Sequence, residues 1–144
     1  MFEMKKPESK WQILFNQYLR EMQSKGEMYG FYELKQTTKD SFPFSKIEIH
    51  QYDGLQATEK SGLVWKWSDD DMRQKPCDCA SIPPLPSYIV IKFPDAYYVI
   101  RIKDLVKIRN EGAISITLEQ ARTVAEKVVR LGKSVDTDTD TMLN

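Results

Sequence analysis

Cysteine is scarce: Cys77 and Cys79 are the only two among 144 residues. One residue apart, they are poorly placed to bridge each other and too few to close a zinc site, so neither a disulfide scaffold nor structural zinc is expected. Long apolar runs are missing as well. No window approaches the roughly 18 apolar residues of a membrane span, and the opening MFEMKKPESK lacks the apolar centre of a signal peptide. These absences predict an intracellular, cytoplasmic protein with no membrane partner. Net charge is also lacking, since 21 Lys plus Arg balance 21 Asp plus Glu. A simple basic glove for nucleic acid is thereby disfavoured, because backbone affinity comes largely from excess Lys and Arg. The balance is uneven along the chain, however. Residues 133–144 hold one Lys and three Asp (Asp136, Asp138 and Asp140), which leaves a net +2 on residues 1–132.

What is present reads as one domain of ordinary size over residues 1–132, followed by a flexible, acidic, polar tail over 133–144. Pro7 suits a first helical turn. Trp11, Leu14, Phe15, Tyr18, Leu19 and Met22 then recur at helical spacing up to Gly26, which predicts a helix over 7–24. Aromatic-rich MYGFYELKQ (28–36) predicts a strand, with Gly30 marking a bulge or a close contact. Ser45 and Glu48 have the spacing of a capping box, with Phe44 as its staple, for a helix over 46–60 that ends at Gly62. LVWKW (63–67) predicts a strand, the charged stretch 68–75 a loop, and 77–82 another extended segment. YIVIKF and AYYVIRI, joined through Pro94 and Asp95, form the clearest hairpin (88–93 and 96–102). A short turn at 103–108 and a short strand at 113–116 follow. Thr117 and Gln120 then cap a final helix with Leu118, Ala121, Val124, Ala125, Val128 and Leu131 on its apolar face, closed by Gly132. The fold class expected from this order is α/β, a mixed central β-sheet of four to six strands flanked by helices.

Glu33 and Lys35 lie two apart in a predicted strand, so they share a face and Leu34 takes the other. A carboxylate beside an ammonium can hold a hard divalent cation and neutralise charge developing on a phosphate. Alone, the E-x-K pattern is weak and usually a surface ion pair. Its surroundings add to it. The stretch FYELKQTTKDSFPFSKIEIHQYDGL (31–55) resembles the core of the PD-(D/E)XK nuclease superfamily, in particular its Holliday-junction resolvases and related small phage nucleases. There, a strand ending in E-x-K leads through a Phe-Pro step into a helix carrying His-Gln. Glu33, Lys35, Phe42, Pro43, His50 and Gln51 match that pattern, and Glu8 matches an acid of the family's first helix.

The resemblance implies a restriction-endonuclease-like core and a metal-dependent endodeoxyribonuclease acting on branched DNA in recombination, as a homodimer, in the host cytoplasm if phage-encoded. Mg2+, with Mn2+ as substitute, would be held by Glu33, Asp78 and Glu8. Lys35 would position the attacking water, and Gln51 would place an amide beside it. One departure matters. The family's usual aspartate opens the strand before E-x-K, yet only Glu27 lies between the first helix and Glu33. Some phage members carry the aspartate later, in a segment like KPCDC (75–79), and on that pattern Asp78 is preferred to Glu27. Phosphate contacts are expected from Lys5, Lys6, Lys10, Lys39, Lys46 and His50, with Lys92, Arg101 and Lys103 on and beside the hairpin.

Plainer readings stand beside these. Asp78 could be an exposed strand residue between two cysteines packed as small hydrophobes, and His50 a helix-surface residue. Asp69, Asp70 and Asp71 read as a solvated loop. Trp65, Trp67, Tyr97 and Tyr98 read as packing residues at alternating strand positions, though an exposed aromatic can stack on an unpaired base. Two other classes remain open: a catalytically inactive nuclease-fold protein that binds DNA, and a viral regulatory interaction protein.

Overall fold

β-branched and aromatic runs build the centre of the protein. In the computed structural model, which describes residues 9–66 and 79–131, the elements run α1 (Lys10–Ser24), β1 (Phe31–Gln36), β2 (Ser41–Pro43), a 3-10 turn (Phe44–Lys46), α2 (Ile49–Ser61), β3 (Leu63–Lys66), β4 (Cys79–Ile82), β5 (Ser87–Lys92), β6 (Tyr97–Arg101), α3 (Ile102–Asn110), β7 (Ser115–Thr117), α4 (Leu118–Val124) and β8 (Lys127–Val129). A four-stranded sheet has the order β1-β5-β6-β8. Two short ribbons, β2 with β7 and β3 with β4, stand apart from it. The sheet is mixed: β1 runs parallel to β5, and the pairs β5-β6 and β6-β8 are antiparallel. A parallel neighbour needs a crossover, and α2 with the β3-β4 ribbon supplies it. Helices flank the sheet, so the mixed α/β class expected from the sequence is the class observed.

Strand alternation divides the core between the two faces. On one, Val90, Tyr97, Val99 and Val129 pack with Phe15, Trp11, Tyr18 and Leu19 of α1, and Leu34 joins them. On the other, Ile89, Ile91, Tyr98 and Ile100 pack with Phe42, Ile47, Tyr52, Leu105, Ile116 and Ala121. Tyr97 and Tyr98 are both buried, as packing residues should be. Among the described residues no helix is long and apolar enough to cross a membrane.

The helix α1 starts later than the Pro7 signal predicts. Ser9 is its cap, with backbone and hydroxyl both donating to Gln12 Oε1 at 2.9 and 3.0 Å, so the helix opens at Lys10. Gly26, at φ +80°, ends it in a conformation that suits glycine. Gly30 does mark a close contact: a Cβ there would lie 2.6 Å from the Pro86 carbonyl oxygen, where β1 begins beside β5.

Three further expectations are corrected. The α2 cap is Glu48 rather than Ser45: Ser45 lies in the 3-10 turn, and the buried Ile47 after it is extended and interrupts the helix. Residues 103–108 are part of the nine-residue α3, whose Ile102 and Leu105 are buried. Its β-branched residues hid the helical period from a reading by propensity. Finally, the helix expected over 118–131 stops at Val124. Thr117 caps it as predicted, accepting from the Gln120 N–H at 3.1 Å. The chain then pairs Val129 with Tyr97 and Lys127 with Val99. A β-branched run fits the extended backbone, and as a strand it also pairs the open backbone edge of β6, which a helix with internal hydrogen bonds would leave unpaired.

Tyr97 ties α1 to the sheet, donating from its hydroxyl to the Trp11 carbonyl at 2.8 Å. Burial pushes this phenol from 10.0 up to about 12. Folding favours the neutral form, so the contribution is whole below the ordinary tyrosine value and is lost as pH rises through the raised one. Thermal stability followed by tryptophan fluorescence is expected to hold up to about pH 10 and fall beyond it, and Tyr97→Phe should shallow that fall. An equal alkaline fall in the variant would assign the effect elsewhere.

Candidate functional site

Glu33 and Lys35 stand in register with Ile89 and Ile91, hence on the sheet face that α2 covers, but on the outer strand of the sheet. That position keeps both side chains partly wet: Glu33 is 34% exposed and Lys35 20%. Lys35 Nζ lies 3.7 Å from Glu33 Oε2, which is the shared face that a two-residue strand spacing dictates.

The residue that completes the cluster comes from 18 positions away. Gln51, in the first turn of α2, donates from Nε2 to Glu33 Oε2 at 2.9 Å. Its other end, Oε1, accepts the Glu48 N–H at 3.1 Å. One amide thus satisfies an orphan donor at the start of α2 and aims a donor at the carboxylate on β1. Because Oε1 is held by a backbone N–H, the amide cannot turn over, and Glu33 always meets the NH2 end. Both contacts fall on Glu33 Oε2. Such a carboxylate is oriented and partly exposed, as a ligand for a hard cation must be, and Mg2+ needs only one or two carboxylates besides waters and substrate oxygens. Among the described residues no group of three or more His, Cys, Asp or Glu side chains is placed to hold a metal ion.

The other candidates distribute as follows. Glu8, Asp78, Lys5, Lys6 and the Asp69–Asp71 run lie outside the described residues, as do Trp67 and Cys77. The described chain resumes immediately after Asp78, at Cys79, which pairs with Lys66 in the β3-β4 ribbon. Glu27 is exposed in the turn after α1, its N–H bonded to the Met22 carbonyl. His50 is 76% exposed beside Gln51 and places Nδ1 3.3 Å from Glu48 Oε1, which agrees with a helix-surface residue. Lys10, Lys39, Lys46 and Lys103 are exposed.

Arg101, expected on the hairpin as a phosphate contact, is ion-paired in this structure. It donates to both Glu59 oxygens, at 3.3 Å from Nε and 3.1 Å from Nη2, and Nη1 lies 3.6 Å from Glu126. Glu59 also accepts the Ser87 N–H at 2.9 Å, so this network joins α2 to the start of β5. The Glu59 bonds hold the Arg101 guanidinium above its already high value. Lys92 is also turned away from the Glu33 face, with Nζ 5.8 Å from the Tyr97 ring on the α1 side.

A second constellation escaped the sequence reading. Tyr52, one residue beyond Gln51, is only 4% exposed, and its buried hydroxyl has no hydrogen-bond partner among the described residues. The Arg109 guanidinium sits 4.3 Å from the centroid of its ring, over the face. Desolvation raises the Tyr52 phenol, and Arg109, by its charge and by the approach of its N–H groups to the hydroxyl, offsets part of that rise. Helical spacing marks Tyr52 as an inward residue, but nothing in the sequence signals that Arg109 would meet it. A buried hydroxyl left unpaired costs about 1–3 kcal/mol. Set against the approach of Arg109 to this hydroxyl, Tyr52→Phe is expected to move Tm by no more than about 3 °C, read by calorimetry. A larger fall in Tm would mean that the hydroxyl has a full hydrogen-bond partner.

Comparison with known proteins supplies no family: no family model matches the chain, and no curated protein matches it.

Proposed function

We propose that the protein is a metal-dependent endodeoxyribonuclease with a restriction-endonuclease-like core, acting on branched DNA. The observation that carries this reading is the convergence of Glu33, Lys35 and Gln51 from β1 and the first turn of α2. The amide that caps α2 through Oε1 also meets the Glu33 carboxylate through Nε2, which ties the E-x-K pair to a second element. The order of elements supports it too: the E-x-K strand, the Phe42-Pro43 step, and then a helix opening with His50 and Gln51. The Phe-Pro step lies in the short strand β2 rather than in an irregular loop.

In this reading Glu33 is a ligand of Mg2+ or Mn2+, with Asp78 and Glu8 as the further carboxylates. The cation, when bound, polarises the scissile phosphate and acidifies water. Lys35 carries a positive charge within reach of the same carboxylate, where it orients the attacking water and stabilises charge building on the phosphoryl oxygens. Gln51 keeps Glu33 in one orientation. Two symmetric cuts in a junction require two such sites, so the active form is a homodimer.

The test is cleavage of end-labelled four-way junction, flap, single-stranded and linear duplex DNA with Mg2+ or Mn2+. Paired nicks in the junction, absent in Glu33→Gln, are expected. Folded protein that binds these DNAs and cuts none with either metal would overturn the nuclease reading in favour of a DNA-binding protein.

A further inference from the structure

The bond from Gln51 to Glu33 is only as constant as the seat of the helical turn that carries it. At 2.9 Å it is well made, and a displacement of α2 by about 1 Å would break it. The inner side of that turn is seated by Tyr52, 4% exposed in the cluster with Phe42 and Ile47. The outer side is open. Ile49 is 69% exposed, and a groove lined by Phe44, Ile47, Glu48, Ile49, Tyr52 and Arg109 opens at the start of the helix. Arg109 is the lining residue that comes from α3. Its guanidinium lies over the Tyr52 ring, 4.3 Å from the centroid, with N–H groups approaching the hydroxyl. It meets no carboxylate among the described residues.

The other end of α2 is held by a different set of bonds. There Glu59 accepts from Arg101 and from the Ser87 N–H. Arg101 caps the start of α3 and Arg109 lies in its last turn, so one helix runs antiparallel beside α2 and reaches it from both ends. At about 1.5 Å per residue, Arg101 to Arg109 spans about 12 Å and Tyr52 to Glu59 about 10 Å. The two lengths match, so each arginine meets its own partner. Glu59 lies about 12 Å along the helix from Gln51, whereas Tyr52 is the next residue.

Resting on the nuclease reading above, we infer that Arg109 is a positioning residue for the metal site: laid across Tyr52, it fixes the first turn of α2 so that the Gln51 amide holds Glu33 in one orientation. Arginine suits this task better than lysine. Its guanidinium plane lies flat on a ring and offers several N–H groups to one hydroxyl, whereas an ammonium supplies charge without a plane. Removing it leaves Gln51 and Glu33 in the chain but takes away the outer support of the turn that joins them. A contact that served packing alone would affect stability and leave the cation untouched.

The experiment uses the full chain with Arg109→Ala, Arg109→Lys and, as a comparison at the other end of α2, Glu59→Gln. Arg109 is exposed, so its variants are expected to fold. Three quantities are read: Tm, the Mg2+ concentration for half-maximal cleavage of a four-way junction, and the NMR shifts of the Gln51 side-chain NH2, assigned by their loss in Gln51→Ala. Arg109→Ala should raise the Mg2+ requirement about threefold to tenfold, and Arg109→Lys should recover part of it. Combined with Gln51→Ala it should add nothing further, because it acts through that amide. The Gln51 NH2 shifts should move toward those of a free glutamine. Glu59→Gln should lower Tm and move neither of the other two quantities. An unchanged Mg2+ requirement with unmoved NH2 shifts in Arg109→Ala would reduce the arginine to a packing contact and overturn the inference, as would an equal increment with and without Gln51. The two readings fail separately. Wild-type protein that cuts no DNA refutes the nuclease and with it the metal role, while the NH2 shifts still report the hold on Gln51. Wild-type cutting with both quantities indifferent to Arg109→Ala refutes the inference alone.

Discussion

Glu33→Gln is expected to lower metal-dependent cleavage by about a thousandfold or more, since it removes the one described carboxylate oriented to hold the cation. Lys35→Ala should cost about a hundredfold to a thousandfold, the range for losing one group that stabilises developing charge. Gln51 separates positioning from fold. Gln51→Ala should reduce activity about tenfold to a hundredfold and raise the Mg2+ concentration needed for half-maximal rate, as the loss of a partner behind a metal ligand does. It also removes the acceptor for the Glu48 N–H, which costs about 1 kcal/mol of helix stability. Gln51→Glu retains that acceptor and sets a second carboxylate against Glu33. Near-normal Tm with strongly reduced cleavage is the expected result for this variant. Initial rates across a Mg2+ titration, with Tm measured alongside, make the comparison. Full activity in Gln51→Glu would reduce the Gln51–Glu33 bond to a helix-packing detail.

The second large effect concerns the support beneath the site. Phe42 in β2 is fully buried, stands opposite Ile116 of β7, and belongs to the cluster that includes Ile47 and Tyr52 at the start of α2. Truncation leaves a cavity that this sheet-backed cluster cannot collapse to fill. Phe42→Ala should therefore cost about 3–5 kcal/mol, read as a lower urea midpoint at unchanged slope. Because the same cluster sets the height of α2 above β1, the surviving folded fraction should also need more Mg2+. A loss under 1 kcal/mol would show that β2 and the start of α2 are not one packed unit.

How far these features were legible in the sequence varies element by element. The hairpin Ser87–Lys92 with Tyr97–Arg101 was plain, because both strands are β-branched and aromatic and a Pro-Asp step separates them. So was the common face of Glu33 and Lys35, which follows from strand geometry alone. The α2 cap falls three residues beyond its expected place: Ser45 and Glu48 have a capping spacing, but the buried Ile47 is extended and interrupts the helix between them. The helix predicted through Lys127–Val129 fails for an equally local reason: the apolar spacing there fits 3.6 residues as well as 2, and only the open edge of β6 favours the strand. The ion pairs of Arg101 with Glu59 and Glu126 are not legible either, since no sequence pattern announces that those residues meet it.

What the chain determined by itself was therefore whatever depends on neighbours in sequence: which runs are strands, which faces are apolar, that Thr117 caps a helix, and that a carboxylate and an ammonium share one side of β1. Tertiary structure decided the rest. It placed that pair on the outer strand, brought the Gln51 amide to Glu33 across 18 positions, laid Arg109 on Tyr52, and turned the end of a predicted helix into the fourth strand. The physical reason is one of range. Backbone geometry and side-chain period act over a few residues, whereas burial and the pairing of polar groups are settled only by which distant surfaces come together.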